Sequence, residues 1–320
     1  MGQAMGVYGK TTVDFETALG VAPTTVAGKT LPFITNQLNS KQNLNKSKVI
    51  SGVRSDSQAA YGNIDVSGTV TTPVDLKSIG YWLKAMIGNP TTTANSAGVS
   101  GTDFTHEFKV GTSLVSMLIE KLVGSTYFLY KGCKADTMKI SVGGDSELEA
   151  QLDYVGCKSA VGTTPYDAAA TAVKQTDKLN QFQCAIKING TAATGVIKSG
   201  DFTLNNNLDK TCYTIGDLGY RSQIAEGLAQ ASGSFKTLFN DVTFLNYGVN
   251  QTVVSMEIVW AISPLKSLSF LFPEVNFSRA DPGITGPGGV ELDLSWEAFY
   301  NSNAEGGIVA VTLNNQVAEY

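Results

Sequence analysis

The feature that most constrains this chain is a strand-rich, weakly charged unit that occurs twice, over about residues 30–156 and 180–315. The clearest echo pairs Gly62-Asn-Ile-Asp-Val-Ser-Gly-Thr-Val70 with Gly227-Leu-Ala-Gln-Ala-Ser-Gly-Ser-Phe235. Each has a glycine, then alternating side chains, then Ser-Gly, then another apolar strand position. Neither copy carries a cluster of reactive side chains, so the unit reads as a building block and not as a catalyst.

Composition sharpens that reading. The 320 residues and 42% hydrophobic content are ample for two cores. Charged residues make up only 16%, well below the share that keeps a free monomer soluble, whereas a subunit that hides surface against neighbours needs fewer. Oligomerisation is therefore expected. A net charge of -5 gives no basic footprint for tight nucleic-acid binding, and a mildly acidic wall would repel DNA. The opening Met1-Gly-Gln-Ala-Met-Gly-Val-Tyr-Gly-Lys10 has no basic region followed by an apolar core, and no segment approaches a membrane-spanning apolar length. Met1-Gly2 begins like a myristoylation signal, but Gly6 stands where Ser or Thr is wanted.

Alternation of apolar and polar residues marks most of the chain as strand. Ile64, Val66, Gly68 and Val70 alternate with Asp65, Ser67 and Thr69, the period of a strand with one wet face. The period changes between Pro73 and Gly88, where Leu76, Ile79, Leu83, Met86 and Ile87 recur at three and four residues and predict a helix. Strands are expected over 103–110, 112–123, 126–132 and 135–142, with Gly143-Gly144-Asp145 turning into another over 147–155. The second unit predicts strands over 182–188, 196–204, 227–238, 253–262, 265–272, 290–299 and 308–313, a turn at Asn189-Gly190 and a helical turn over 241–248. The resulting division is an N-terminal arm over 1–30, a first domain over 31–156, a linker over 157–180 and a second domain over 181–320.

Residues that carry chemistry are scarce. His106, the one histidine, lies in an alternating stretch and reads as a hydrogen-bonded surface or interface residue; no Gly-x-Ser-x-Gly elbow or second histidine accompanies it. Cys133, Cys157, Cys184 and Cys212 form no CxxC pair and read as strand thiols. No nucleotide-binding glycine motif is present, and Gly286-Pro-Gly-Gly289 reads as a surface turn. Glu147, Glu149 and Asp153 have the spacing that the wet face of any strand produces. No cofactor or metal, and no enzymatic activity, is expected.

The succession Leu31-Pro-Phe-Ile34, Gly62-Asn-Ile-Asp-Val-Ser-Gly68, Trp82-Leu-Lys-Ala-Met-Ile-Gly88, Phe104-Thr-His-Glu-Phe108, Tyr130-Lys-Gly-Cys-Lys-Ala-Asp-Thr-Met138 and 144–156 resembles the major tail tube proteins of long-tailed bacteriophages and prophages. In the second half, Leu204-Asn-Asn-Asn-Leu-Asp209, Ile224-Ala-Glu-Gly-Leu228, Ser232-Gly233 and Pro282-Gly-Ile-Thr-Gly-Pro-Gly288 resemble the same family. The resemblance implies a mainly β fold of tandem β-sandwich or barrel-like tube domains, each with a small flanking helix or helical turn. It also implies a structural virion protein, made in the host cytoplasm, that stacks as rings into a hollow tube for genome DNA. Its partners would be its own copies, a tape-measure protein, tail-tip and terminator proteins, and DNA in non-specific transit, with no membrane insertion. Family members with one tube domain form hexamers, whereas two fused domains form trimers that imitate a six-fold ring; the repeat favours the trimer.

Under that resemblance, Asp65, Glu147, Glu149 and Asp153 are candidate lumen-facing acids. Val13 and Phe15 on the arm, with Pro90 and Asn95 in the 89–101 loop, are candidate ring-to-ring contacts. The rival reading is a carbohydrate- or host-binding β-sandwich on the virion surface, for which Tyr61, Tyr81, Trp82 and Trp296 are the aromatics that would form a platform.

Overall fold

A computed structural model describes residues 3–95, 98, 101–284 and 286–320. The Met1-Gly2 signal and part of the 89–101 loop lie outside the described residues. The first half of the chain contains β1 (Lys10–Phe15), β2 (Lys29–Leu31), β3 (Thr35–Asn36), β4 (Asn39–Asn45), β5 (Ala60–Pro73) and α1 (Ile79–Ile87). It continues with β6 (Thr91–Ala94), β7 (Phe104–Lys109), β8 (Met117–Val123), β9 (Thr126–Val142), β10 (Glu149–Gly156), β11 (Lys158–Gly162) and β12 (Thr171–Ala172). The second half contains β13 (Cys184–Ile188), β14 (Thr191–Ala192), β15 (Ile197–Asn205), β16 (Gln230–Leu238) and α2 (Thr243–Val249). It ends with β17 (Val254–Ser263), β18 (Lys266–Phe277), β19 (Glu291–Ala298) and β20 (Ala310–Asn315).

The strand pairings repeat. In the first half β4, β5, β10 and β9 lie side by side, β8 forms a hairpin with β9, β11 pairs with the first part of β9, and β1 pairs with β8. In the second half β15, β16, β19 and β18 follow the same order, β17 forms the hairpin with β18, β20 pairs with the first part of β18, and β13 pairs with β17. The short helices α1 and α2 follow β5 and β16 at equivalent points. Two glycines tie the registers together. A Cβ on Gly68 would lie 2.5 Å from the Gln37 carbonyl oxygen, and one on Gly233 would meet the Asp201 carbonyl oxygen closer still. Both crossings need a residue without a side chain, which explains the repeated Ser-Gly.

The halves share one sheet. The second part of β9 pairs along its far edge with β15, from Gly200 opposite Val142 to Asn205 opposite Thr137. Strand order is therefore β4-β5-β10-β9-β15-β16-β19-β18, all neighbours antiparallel. The first parts of β9 and β18 leave this sheet and pair with β8 and β11, and with β17 and β20, behind it. One apolar cluster fills the space between and runs through both halves, from Val66, Val70 and Trp82 to Phe202, Phe270 and Trp296. Phe202 of β15 meets Phe270 and Phe272 of β18 at ring-centre distances of 4.9 and 5.6 Å, so the two layers interlock through aromatic edges.

The expected helix is shorter at its start than the periodicity predicts, because Asp75 spends its carboxylate on the backbone N–H groups of Lys77 and Ser78 and closes a turn there. Gly80 inside α1 has a packing reason: the ring of Tyr320 lies where a Cβ would be. Two strands expected over 126–132 and 135–142 are one long strand, β9, since the positive φ of Gly132 bends the backbone without ending it. The expected arm contributes β1 and β2 to the rear layer, and the expected linker contributes β11 and β12.

His106 is not a surface residue. β7 is held between β6 and β20, and its imidazole is fully buried. Thr92 Oγ1 lies 2.8 Å from Nδ1, Asn315 Oδ1 lies 3.1 Å from Nε2, and Tyr320 stacks edge-on at 4.9 Å. The Asn315 oxygen accepts from Nε2–H, leaving Nδ1 to accept the Thr92 hydroxyl, a neutral tautomer. Burial lowers the imidazole pKa further than the Asn315 hydrogen bond restores it.

Two outcomes follow for stability. Gly68→Ala and Gly233→Ala should each lower the urea midpoint by an amount equivalent to about 2 kcal/mol or more, whereas Gly283→Ala, where a Cβ meets nothing within 4 Å, should leave it nearly unchanged. Because native His106 resists protonation, the unfolded chain takes up the extra proton as pH falls below about 6.5. Stability should therefore decline between neutral pH and the depressed native pKa by up to about 1.4 kcal/mol per pH unit. Urea melts at several pH values should show a shallower slope in His106→Gln.

Candidate assembly surfaces

The face of the shared sheet turned away from the core is polar across its whole width. Alternation puts Lys41 of β4, Asp65, Ser67 and Thr69 of β5, Glu149, Gln151 and Asp153 of β10, and Thr137 and Lys139 of β9 on that face. The second half adds Asp201, Thr203, Ser232, Ser234, Lys236, Asp293, Ser295 and Glu297 from β15, β16 and β19, while the intervening residues point into the core. Carboxylates outnumber lysines here, and several are bound to hydroxyls. Thr69 and Thr137 donate to the two oxygens of Asp153 at 2.5 and 2.7 Å, Ser67 donates to Asp65 at 2.9 Å, and Ser234 donates to Asp201 at 2.7 Å. Lys139 of β9 reaches Asp201 of β15 at 3.0 Å, across the junction between the halves.

Three of the four acids singled out in the sequence share this face: Asp65, Glu149 and Asp153. Asp65 is also a structural anchor, paired with Arg221. Burial alone would raise its pKa, but hydrogen bonds from Arg221 and Ser67 outweigh that and hold the carboxyl below the usual range. Glu147 lies just before β10 in an isolated bridge to Asn180, and its carboxylate is held by Gln175 at 2.6 Å and Lys178 at 3.2 Å.

The four proposed ring contacts lie elsewhere than on a loose arm and an open loop. Val13 is wholly buried in β1 between β2 and β8, so its side chain faces the subunit's own core. Phe15 is half-buried beneath the Lys84 ammonium, 4.2 Å from its ring centre. Pro90 is half-buried at the start of the β6 hairpin. Asn95 reaches Thr105 and Asn314 at 3.2 and 3.3 Å, which ties the hairpin to β20's neighbourhood. Of the four aromatics considered for a binding platform, Trp82 and Trp296 are buried and Tyr81 is packed edge-on against Tyr320; Tyr61 is exposed.

Sequence patterns missed the loop between β15 and β16. Residues 206–229 fold over the end of the first half's sheet and supply a set of buried polar contacts. Arg221 donates to the carbonyls of Val66 and Gly156, Lys134 pairs with Glu226 at 2.6 Å, and Lys210 pairs with Asp136 at 2.6 Å. Burial pushes Glu226 up, but Lys134 and the Leu114 N–H outweigh it and hold the carboxyl low. Leu208 and Ile224 join Val155 and Cys157 in a small apolar cluster beneath the loop. These partners stand many tens of residues apart, and no local spacing marks them.

Two open features remain at the ends of the sheet. Among the described residues, β4 has a strand partner on one side only, β5. At the other end, β18 leaves its ladder at Phe277, although the Ser278 N–H still donates to the Ser295 carbonyl at 2.8 Å. Beyond β4, residues 46–59 stand out from the sheet with Val49, Ile50 and Val53 exposed. Among the described residues, no three or more His, Cys, Asp or Glu side chains are grouped to hold a metal ion. No helix there is long and apolar enough to cross a membrane.

A search of curated proteins found no match. The family model for phage tail tube proteins matches residues 10–298, from β1 to the end of β19, and so takes in both halves and the whole shared sheet. With that match and a mainly β architecture carrying only short helices, the chain belongs to the phage tail tube proteins, structural components of the phage virion.

Proposed function

We propose that this chain assembles as rings of three copies, each copy contributing two fused tube domains, and that the rings stack into the hollow tail tube through which genome DNA leaves the virion. The observation that carries the reading is the eight-strand sheet that crosses both halves, polar and mildly acidic on one face and open to pairing at both ends. A sheet with unpaired edges is a liability unless another chain covers them, and a ring of sheets covers all of them.

The strand count supports three copies. Three such sheets joined edge to edge give a barrel of about 24 strands. With strands ~4.8 Å apart and tilted by about 40°, its backbone circle is about 45–50 Å across. Inward side chains would leave a bore of about 35–40 Å, wider than a DNA duplex of about 20 Å. Carboxylates on the bore would repel phosphate and let the duplex pass without adhering. Glu149, Asp153 and the Arg221-anchored Asp65 are the residues of the first half placed for that task. A tape-measure protein would occupy the bore before ejection, and tip and terminator proteins would cap the two ends.

His106, buried with both ring nitrogens engaged, suits a structural role better than a catalytic one. The rival host-binding reading gains nothing specific, since two of its four aromatics are in the core.

Negative-stain electron microscopy of the purified chain, concentrated alone and then with a tail-tip or tape-measure seed, tests the proposal. Hollow tubes whose end-on averages show three-fold mass and a bore wider than the duplex are expected. Particles that remain compact monomers or closed oligomers with the seed present would overturn it, and six chains per ring would overturn the trimer.

A further inference from the structure

We infer that residues 316–320 form a strap held shut by the Tyr320 side chain, and that lifting this strap loosens α1 and the β6–β7 hairpin together while the shared sheet stays closed. The device belongs to the single chain and does not depend on how copies assemble.

The strap lies where three pieces distant in sequence meet. α1 and β7 come from the first half, and β20 comes from the second. The ring of Tyr320 sits over Gly80, in the space a Cβ would take, and packs edge-on against Tyr81 at 5.0 Å and His106 at 4.9 Å. Its hydroxyl donates to the Leu76 carbonyl at 3.3 Å, in the turn that leads into α1. Lys84, one helical turn after Gly80, donates to the Tyr320 main-chain oxygen at 2.6 Å. Burial disfavours the Lys84 ammonium, and Glu319 of the strap acts against that.

Asn315, at the end of β20, ties these contacts into one unit. Its Oδ1 accepts from His106 Nε2–H at 3.1 Å and from the Val317 N–H at 2.9 Å, and its Nδ2 donates to the Leu76 carbonyl and to the Tyr320 hydroxyl. A side-chain amide has two donors and an oxygen with two lone pairs, so every position is spent. Removing the Tyr320 side chain takes one acceptor from Asn315, strips the edge of His106 and opens a void over Gly80 in a single step. Contacts coupled in this way open as a unit.

Anchorage explains why the strap gives way before the sheet. Among the described residues, 316–320 make no main-chain to main-chain hydrogen bond. Gln316, Ala318 and Glu319 are exposed, and only Val317 and Tyr320 are half-buried. The shared sheet instead has ladders on both sides of β9, β15 and β16. Segments with few buried contacts and no ladder have the lowest opening free energies.

Hydrogen exchange of the full chain, read by mass spectrometry, tests the strap. In Tyr320→Ala, peptides over 79–87 and 104–109 should exchange at least about tenfold faster than in the wild type, with 137–142, 200–205 and 230–238 unchanged. No change at 79–109, or equal acceleration in the shared sheet, would overturn the strap. Should the alanine variant not fold, Tyr320→Phe, which keeps the ring and loses the hydroxyl, decides by the same contrast between the two sets of peptides. Gly80 gives a second reading. Gly80→Ala should lower the melting temperature of the wild type, where the tyrosine ring leaves no room for the methyl group. In the Tyr320→Ala background it should raise the melting temperature, because the space is free and alanine is the better helix former. A shift of the same sign in both backgrounds would overturn the contact on which the strap depends.

Discussion

The pairing of β9 with β15 is the constraint on which the rest depends. Without it each half is a small sheet with a raw edge; with it, one sheet joins the two halves and the main apolar cluster runs through both. Backbone hydrogen bonds alone would allow that ladder to slip, and a slip of one residue would turn Phe202 and Met138 out of the core. The aromatic contacts of Phe202 with Phe270 and Phe272 and the Lys139–Asp201 pair act against slippage from opposite faces of the same strand.

The structure also divides labour along single strands. The first part of β9 belongs to the rear layer and the second part to the shared sheet, with the positive-φ Gly132 near the change of direction. β18 does the same in the second half, where β20 takes the first part of its edge and β19 the second. Long strands that serve two layers couple those layers mechanically. The small number of helices is a consequence: α1 is needed to fill the space between layers, and seven of its nine residues are buried.

Much of the fold was legible because alternation is a strong signal when one face is wet. The repeat was visible in Ser67-Gly68 and Ser232-Gly233, and the structure supplies the reason, a carbonyl crossing that tolerates no Cβ. The wet face of β10 was legible for the same reason, and it brought Glu149 and Asp153 to the candidate surface. What stayed hidden was whatever depended on distant partners. His106 looked like a strand surface residue because its covering strand, β20, lies some two hundred residues away. Val13 and Phe15 looked like part of an arm because nothing local announced that β8 would pair with them. Arg221, set in a polar and turn-prone loop, gave no sign that it would bind Asp65 and two carbonyls of the first half.

The hydroxyls of the open face carry a consequence for anything that slides over it. Ser67, Thr69, Thr137 and Ser234 each give their one hydrogen to a carboxylate of the same face. A hydroxyl so engaged is an acceptor toward its surroundings, and the carboxylates are acceptors already. Phosphate oxygens, which can only accept, meet few groups there able to hold them. Under the proposed tube reading, the direction of these internal hydrogen bonds would add to the carboxylate charge in keeping a polyanion from adhering.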